Sequence, residues 1–123
     1  MEAIRRVLLV DDNVDAAEML GELLGLLGHE VAIAHDGQAA LELRERGPFD
    51  IALVDLGLPD MSGHELGTRI KQLAPETSVV IVSGYAQDED KARSLALGFE
   101  GHLAKPVSVE ALGDVISRAA RHS

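Results

Sequence analysis

Five residues of the 123-residue sequence belong to types that bind phosphate or a hard metal ion, and they stand at the ends of four strand-like segments. They are Asp11, Asp12, Asp55, Ser83 and Lys105. Clustered carboxylates repel one another, so such a group either raises its pKa values or holds a cation. Two or three carboxylates suit Mg²⁺, which keeps several waters and often shares its ligands with a phosphate. The lysine and the serine would then supply donors for an anionic oxygen.

Each of these residues also has an ordinary structural role open to it. Asp12 or Asn13 could cap a helix, and Asp55 could form a turn before Pro59. Ser83 could simply begin a loop, while a lone lysine such as Lys105 is most often a solvated surface charge. Their joint occurrence at one predicted edge of a sheet favours a single shared site.

The elements that must position these residues alternate between strand and helix five times. Residues 7–10, 51–54 and 79–82 are continuous apolar runs, typical of strands buried on both faces of a parallel sheet. Residues 30–34 alternate in polarity and residues 101–104 form a short, weak run, so both are predicted to be edge strands. The three apolar strands must therefore occupy the centre.

Five helical patterns follow the strands. Ala16, Leu20, Leu23, Leu24 and Leu27 share one face of the first, which Gly28 closes. The others start at Asp36, Ser62, Asp88 and Ser108. With right-handed crossovers, this pattern predicts a doubly wound α/β domain, a flavodoxin-like five-stranded parallel sheet of order 2-1-3-4-5 with five helices. Ligands bind such sheets beyond the carboxyl ends of the strands, where the winding reverses.

Composition and charge exclude several classes of protein. Eleven Lys and Arg against 21 Asp and Glu give a net charge of −10, which argues against nucleic acid or anionic membrane as a partner of this domain. The absence of Cys excludes disulfides and thiolate chemistry. Wholly aliphatic runs reach only four residues, so neither a membrane span nor a signal peptide is expected. We expect one domain over residues 1–123 in a cytoplasmic location.

With these residues assembled, the sequence resembles the receiver domain of two-component response regulators over essentially its whole length. The resemblance rests on residues 10–13 (VDDN), 53–63 (LVDLGLPDMSG), 82–84 (VSG) and 105–107 (KPV). Each motif is weak alone, and their combination at these intervals is highly specific. Residues 98–107 look most like receivers attached to hybrid sensor histidine kinases. No output domain is expected within these residues.

The resemblance implies a phosphoacceptor switch rather than a classical enzyme. Asp55 would accept a phosphoryl group from a phosphohistidine on a histidine kinase or a histidine phosphotransfer protein. Mg²⁺ would be held by Asp11, Asp12, Asp55 and the backbone carbonyl of Gly57. Ser83 and Lys105 would bind the phosphoryl oxygens, and a downstream output domain or protein would respond to the phosphorylated state.

The resemblance also implies roles for three positions around the site. His102, three residues before Lys105, stands where the family places an aromatic switch residue. An imidazole acting in place of that ring and an ordinary surface histidine are both open. Gly57 and Tyr85 stand where the family tunes hydrolysis of the phosphoaspartate. The Lys105–Pro106 peptide bond is expected to be cis.

Two functions of other classes compete with the switch. An Mg²⁺-dependent phosphohydrolase with an aspartyl-phosphate intermediate usually carries its nucleophile after the first strand and a second acid two residues on, where this sequence has Asn13. A flavin mononucleotide carrier would need aromatic side chains to stack on the flavin, and the chain has only two Phe and one Tyr. Asp11 and Asp12 would also repel the flavin phosphate.

Overall fold

The structure is a computed structural model that describes residues 4–84 and 88–120, with side chains in the second range up to residue 118. Five parallel strands form one sheet in the order β2-β1-β3-β4-β5, as the sequence predicts. The strands are β1 (Arg6–Val10), β2 (Glu30–Ala34), β3 (Ile51–Asp55), β4 (Ser78–Ser83) and β5 (Gly101–Ala104). The helices are α1 (Val14–Leu26), α2 (Gly37–Glu45), α3 (Gly63–Leu73), α4 (Asp88–Ala96) and α5 (Val109–Ala120).

The central position of β1, β3 and β4 follows from their apolar sequences, because such strands need cover on both faces. Their side chains are buried throughout the middle of the sheet, whereas β2 begins with an exposed Glu30 and is only partly buried. One core layer lies between the sheet and the helices α1 and α5, centred on Leu24 and Leu112. The other lies on the opposite face, where α3 contributes Leu66 and Ile70.

The helices begin and end where the sequence predicts caps. Side-chain oxygens of Asn13, Asp36 and Ser62 accept backbone N–H bonds from the first turns of α1, α2 and α3. Gly28 and Gly98 have positive φ angles just past the ends of α1 and α4, where glycine is favoured. Among the described residues, no helix is long and apolar enough to cross a membrane.

A glycine in the middle of α3 allows this helix to lie close to the sheet. A Cβ atom added at Gly67 would stand 2.6 Å from the Phe99 ring and 2.9 Å from a Val79 methyl group. Both neighbours are buried core residues. Gly113, in the middle of α5, has no heavy atom within 4 Å of the corresponding position. The two glycines therefore share a helical setting and differ in the space around them.

We expect Gly67→Ala to be less stable than Gly113→Ala by about 1–3 kcal/mol, because overpacking a filled core costs about that much. Both variants gain the same helix propensity, about 1 kcal/mol, so the difference between them isolates the steric term. Urea unfolding followed by circular dichroism measures both. Equal stabilisation by the two substitutions would show that α3 can move away from the sheet.

Candidate functional site

The carboxyl ends of four strands bring the predicted chemical groups to one edge of the sheet. Asp55 and Ser83 are the last residues of β3 and β4, while Asp11 and Lys105 directly follow β1 and β5. One carboxylate oxygen from each of Asp11, Asp12 and Asp55 lies within 4.8 Å of the other two. The three acidic residues form the acidic cluster, which is the only group of three or more potential metal ligands within the described residues.

The local structure after β1 separates the roles of three consecutive polar residues. Asn13 caps α1, since its Oδ1 accepts the Ala16 N–H at 3.0 Å. Asp11 is buried, and its Oδ1 accepts the Asn13 N–H at 2.9 Å. The capping role considered for Asp12 therefore belongs to Asn13, and the exposed Asp12 carboxylate turns to the acidic cluster.

Lys105 joins the acidic cluster from the far edge of the sheet. Its Nζ donates to Asp11 Oδ2 at 3.0 Å and to Asp55 Oδ2 at 3.2 Å. The Lys105 side chain is 30% exposed, and those of Asp11 and Asp55 are 7% and 13% exposed. The Lys105 N–H donates to the backbone oxygen of the buried Ser83, and the Lys105–Pro106 bond is cis, as expected. The lysine is therefore a partly buried bridge rather than a solvated charge.

Burial and the charges of this bridge together raise the pKa values of Asp55 and Lys105. Burial raises the pKa of the Asp55 carboxyl, the Lys105 ammonium opposes that rise, and the negative charge of Asp11 adds to it. The net pKa of Asp55 is raised. Burial alone would lower the pKa of Lys105, but its hydrogen bond to Asp11 and the charges of both carboxylates raise it. Lys105 is therefore firmly cationic at neutral pH.

The loop between β3 and α3 turns tightly around Asp55. The Gly63 N–H donates to the Leu56 oxygen at 2.7 Å, and Gly57 and Ser62 form an isolated antiparallel bridge. A Cβ atom at Gly63 would lie 2.8 Å from the Leu56 Cα and closer still to the Asp55 carbonyl oxygen, so only glycine fits there. Gly57 N–H donates to Asp55 Oδ1 at 3.3 Å. This contact places the Gly57 backbone beside the acidic cluster.

Asp60 is a structural residue of this loop that the sequence analysis missed. Its two carboxylate oxygens accept the N–H groups of Gly37 and Gln38 at 2.9 and 3.0 Å, at the start of α2. These two hydrogen bonds lower the pKa of Asp60. The signal that could have identified Asp60 is its position in a loop that lies at the same edge of the sheet as the start of α2. The contact ties the loop that follows Asp55 to α2.

His102 lies on β5 and points towards α4. Its Nδ1 lies 3.3 Å from Ser94 Oγ, and its Nε2 is buried. His102 is half-buried, and its ring packs against a neighbouring helix. Tyr85, for which the resemblance implies a tuning role, falls outside the described residues.

Comparisons with known proteins agree with this fold. The profile of the response regulator receiver domain matches residues 7–117, so the chain belongs to the receiver domain family of two-component signalling. A solved CheY-like response regulator receiver domain protein from Methanospirillum hungatei JF-1 superposes with a TM-score of 0.90 at 31% identity, over 98% of this chain and 97% of that one. The resemblance inferred from the sequence is confirmed.

Two curated relatives show where such domains occur. The chain is 37% identical over 111 residues to the sensor histidine kinase RcsC of Salmonella typhi, covering 90% of this chain and 12% of that protein. It is 38% identical over 112 residues to a response regulator receiver protein of Anaeromyxobacter sp. (strain Fw109-5), covering 91% and 47%. The chain thus spans less than half of either relative.

Removing the charge of Asp55 should stabilise the metal-free domain at neutral pH. The raised pKa means that the folded state binds this proton more tightly than the unfolded state does. Stability is therefore lost as pH rises from the usual value of 3.8 through the folded pKa. We expect Asp55→Asn to match the wild type near pH 3 and to exceed it at pH 7, in urea unfolding with a chelator present.

Asp60→Asn should have the opposite effect in the same measurement. The lowered pKa of Asp60 means that its ionised form is favoured by folding, so its contribution is present above pH 3.8 and lost as pH falls through the folded pKa. This variant should be less stable than the wild type at pH 7 and equal to it at low pH. A destabilised Asp55→Asn at pH 7 would contradict the electrostatic account of the acidic cluster.

Proposed function

We propose that this receiver domain is a phosphoacceptor switch in which Asp55 takes a phosphoryl group from a phosphohistidine. The observation that carries the proposal is the bridge from Lys105 Nζ to both Asp11 and Asp55. Together with Asp12, these two residues bring three carboxylates within 4.8 Å of one another. A partly buried carboxylate at a strand end is a competent phosphoryl acceptor. Phosphoryl transfer needs alignment and charge neutralisation above all, and this arrangement offers both.

Each residue of the site would have a defined part in the transfer. An Asp55 carboxylate oxygen attacks phosphorus in line, a P–O bond forms, and the P–N bond to the donor imidazole breaks. The imidazole nitrogen keeps the electron pair of that bond and takes up a proton. The Lys105 ammonium, already 3.2 Å from Asp55, neutralises charge on the phosphoryl oxygens, and Ser83 binds one of them. The strand ends hold these groups before the donor arrives, which lowers the entropic cost of transfer.

The acidic cluster has the donor chemistry for Mg²⁺. Its ligands are all oxygen atoms, two of the carboxylates are largely buried, and the Gly57 backbone lies beside Asp55. We propose Asp11, Asp12, Asp55 and the Gly57 carbonyl as the residues that hold it. When bound, Mg²⁺ supplies positive charge that offsets the repulsion between the carboxylates and the incoming phosphoryl group.

The phosphohydrolase alternative is less well supported by the same geometry. It needs a second acid two residues after a nucleophile that follows the first strand. The residue in that place, Asn13, is engaged in capping α1. The acid that Lys105 and the Gly57 N–H both contact at the end of a central strand is Asp55, which follows β3 instead.

The proposed donors are the phosphohistidine of a histidine kinase or of a histidine phosphotransfer protein. Relatives of this chain include a sensor histidine kinase and a response regulator, so either context supplies such a donor. We propose that the domain meets such a donor in the cytoplasm. A downstream output domain or protein would bind the phosphorylated form.

Asp12→Ala should abolish Mg²⁺ binding and leave the fold intact. Asp12 is exposed, so its loss removes a ligand without opening the core. Isothermal titration and amide shifts of residues 10–13 on adding Mg²⁺ measure the effect. Asp15→Ala is the matched control, since Asp15 is an exposed acid in the first turn of α1 and lies outside the acidic cluster. Mg²⁺ binding by Asp12→Ala as tight as in the wild type would place the metal elsewhere.

A small acyl phosphate with Mg²⁺ should label Asp55 without any kinase, because the receiver provides the alignment itself. Asp55→Asn keeps the side-chain shape and removes the nucleophile, so it should lose the label. A chelator should stop labelling as well. The label should be more stable to acid than to base, as an acyl phosphate is, and intact-mass spectrometry detects it.

Asp15→Asn is the control for this labelling experiment. It removes an exposed carboxylate of α1 that lies outside the acidic cluster, so labelling should persist. Equal labelling of the wild type and Asp55→Asn would overturn the proposal. Steady turnover of a stable phosphate ester would then support the phosphohydrolase.

A further inference from the structure

Helix α4 is attached to the domain by a polar side chain rather than by an apolar face. Ser94 is the one fully buried residue of α4, and it is only 2% exposed. Leu95, the large aliphatic residue of this helix, is 77% exposed. The hydrophobic effect therefore contributes little to the docking of α4, and hydrogen bonds at Ser94 contribute more.

Ser94 is the centre of a hydrogen-bonded group that joins three elements. Its Oγ donates to the Asp90 carbonyl at 3.0 Å within α4. The same oxygen lies 2.9 Å from His64 Nε2 on α3 and 3.3 Å from His102 Nδ1 on β5. His64 is buried and stacks on the Phe99 ring at a centroid distance of 6.2 Å. We call His64, Ser94 and His102 the histidine–serine triad.

The Ser94 hydroxyl has one proton and three neighbours that can accept it. In the arrangement where this proton goes to the Asp90 carbonyl, the Ser94 oxygen accepts from both imidazoles. His64 then carries a proton on Nε2, and His102 carries one on Nδ1. His102 Nε2 is left as a lone-pair acceptor, and it is buried without a hydrogen-bond partner among the described residues. Adding a proton there would create a charged N–H group that is buried without a hydrogen-bond acceptor among the described residues.

We infer that the protonation state of the His64–His102 pair controls the docking of α4 onto α3 and β5, so that neutral rings hold the helix and protonated rings release it. The triad thus acts as a proton-sensitive latch on α4. This role needs no phosphoryl group, so it stands independently of the proposed function.

The charges around the triad agree with neutral rings in the docked state. Burial lowers the pKa of His64, the Arg93 charge of α4 lowers it further, and Asp90 opposes both. Burial also lowers the pKa of His102, with Lys91 of α4 and His64 of α3 adding to it and Asp90 opposing. Two cationic side chains of α4 therefore face the pair against one carboxylate.

The sign of the pH effect follows from these lowered pKa values. An exposed histidine in a detached α4 state would titrate near the ordinary value of about 6.5, above its value in the docked state. The detached state therefore binds protons more tightly, and docking is lost as pH falls below about 6.5. Between pH 7.5 and 5.5 the opening equilibrium should rise by up to about tenfold for each histidine, or about a hundredfold for both.

Amide hydrogen exchange of α4, corrected for its intrinsic pH dependence, tests the latch in the unphosphorylated domain. Protection of residues 88–96 should fall by about ten- to a hundredfold from pH 7.5 to 5.5, while residues 109–116 of α5 show no comparable change. The double variant His64→Leu/His102→Phe should lose this pH dependence. His29→Gln, which alters a histidine at the turn between α1 and β2, should retain it. Protection of α4 that does not change with pH would overturn the inference, and so would an unchanged dependence in the double variant.

Nitrogen NMR of the imidazoles gives a second test that needs no substitution. At pH 7.5 both rings should be neutral, with the His102 proton on Nδ1 and the His64 proton on Nε2. A His102 proton on Nε2, or titration of both rings at or above pH 6.5, would overturn the inference. This measurement tests the inference even if the double variant does not fold.

Discussion

Repulsion among three carboxylates held within 4.8 Å is the constraint on which the rest of this arrangement depends. Two partly buried like charges about 4 Å apart repel by roughly 4 kcal/mol at an effective dielectric constant near 20. The total stability of a domain is only about 5–15 kcal/mol. Such a group persists because Lys105 bridges Asp11 and Asp55 and because the strands of the sheet hold the backbones of these residues in place. Burial is the main cause of the raised pKa of Asp55, the negative charge of Asp11 adds to the rise, and the Lys105 charge opposes both.

The sheet alone would not hold Asp55 in this position, because a strand end is followed by a loop that can move. Here the loop is closed on itself by the Gly63 N–H bond to Leu56 and by the bridge of Gly57 with Ser62. Asp60 then fastens the loop to the start of α2. The glycine at 63 and the aspartate at 60 thus support Asp55, the proposed phosphoacceptor, from outside the acidic cluster.

The sequence predicted the strand order and the residues of the acidic cluster because both depend on local pattern. A wholly apolar strand must be central, and a polar residue at its carboxyl end must reach the common edge. The sequence did not predict contacts between residues that are far apart along the chain, because such contacts leave no periodic pattern. Glu100 accepts the Val79 N–H at 2.8 Å and pairs with Lys71 at 2.7 Å, across 21 and 29 positions. The contact of Ser94 with His64 spans 30 positions and depends on how α4 packs.

Two neighbouring helices of the domain, α3 and α4, therefore differ in what holds them. The sheet and α3 are fixed by close apolar packing, in which even one methyl group at Gly67 would clash. Apolar packing is non-directional and does not respond to a proton. α4 is held by hydrogen bonds between Ser94 and two titratable rings, so by the inference above its attachment depends on pH. A domain built in this way keeps the geometry around Asp55 constant while one helix responds to its surroundings, because the two depend on different interactions.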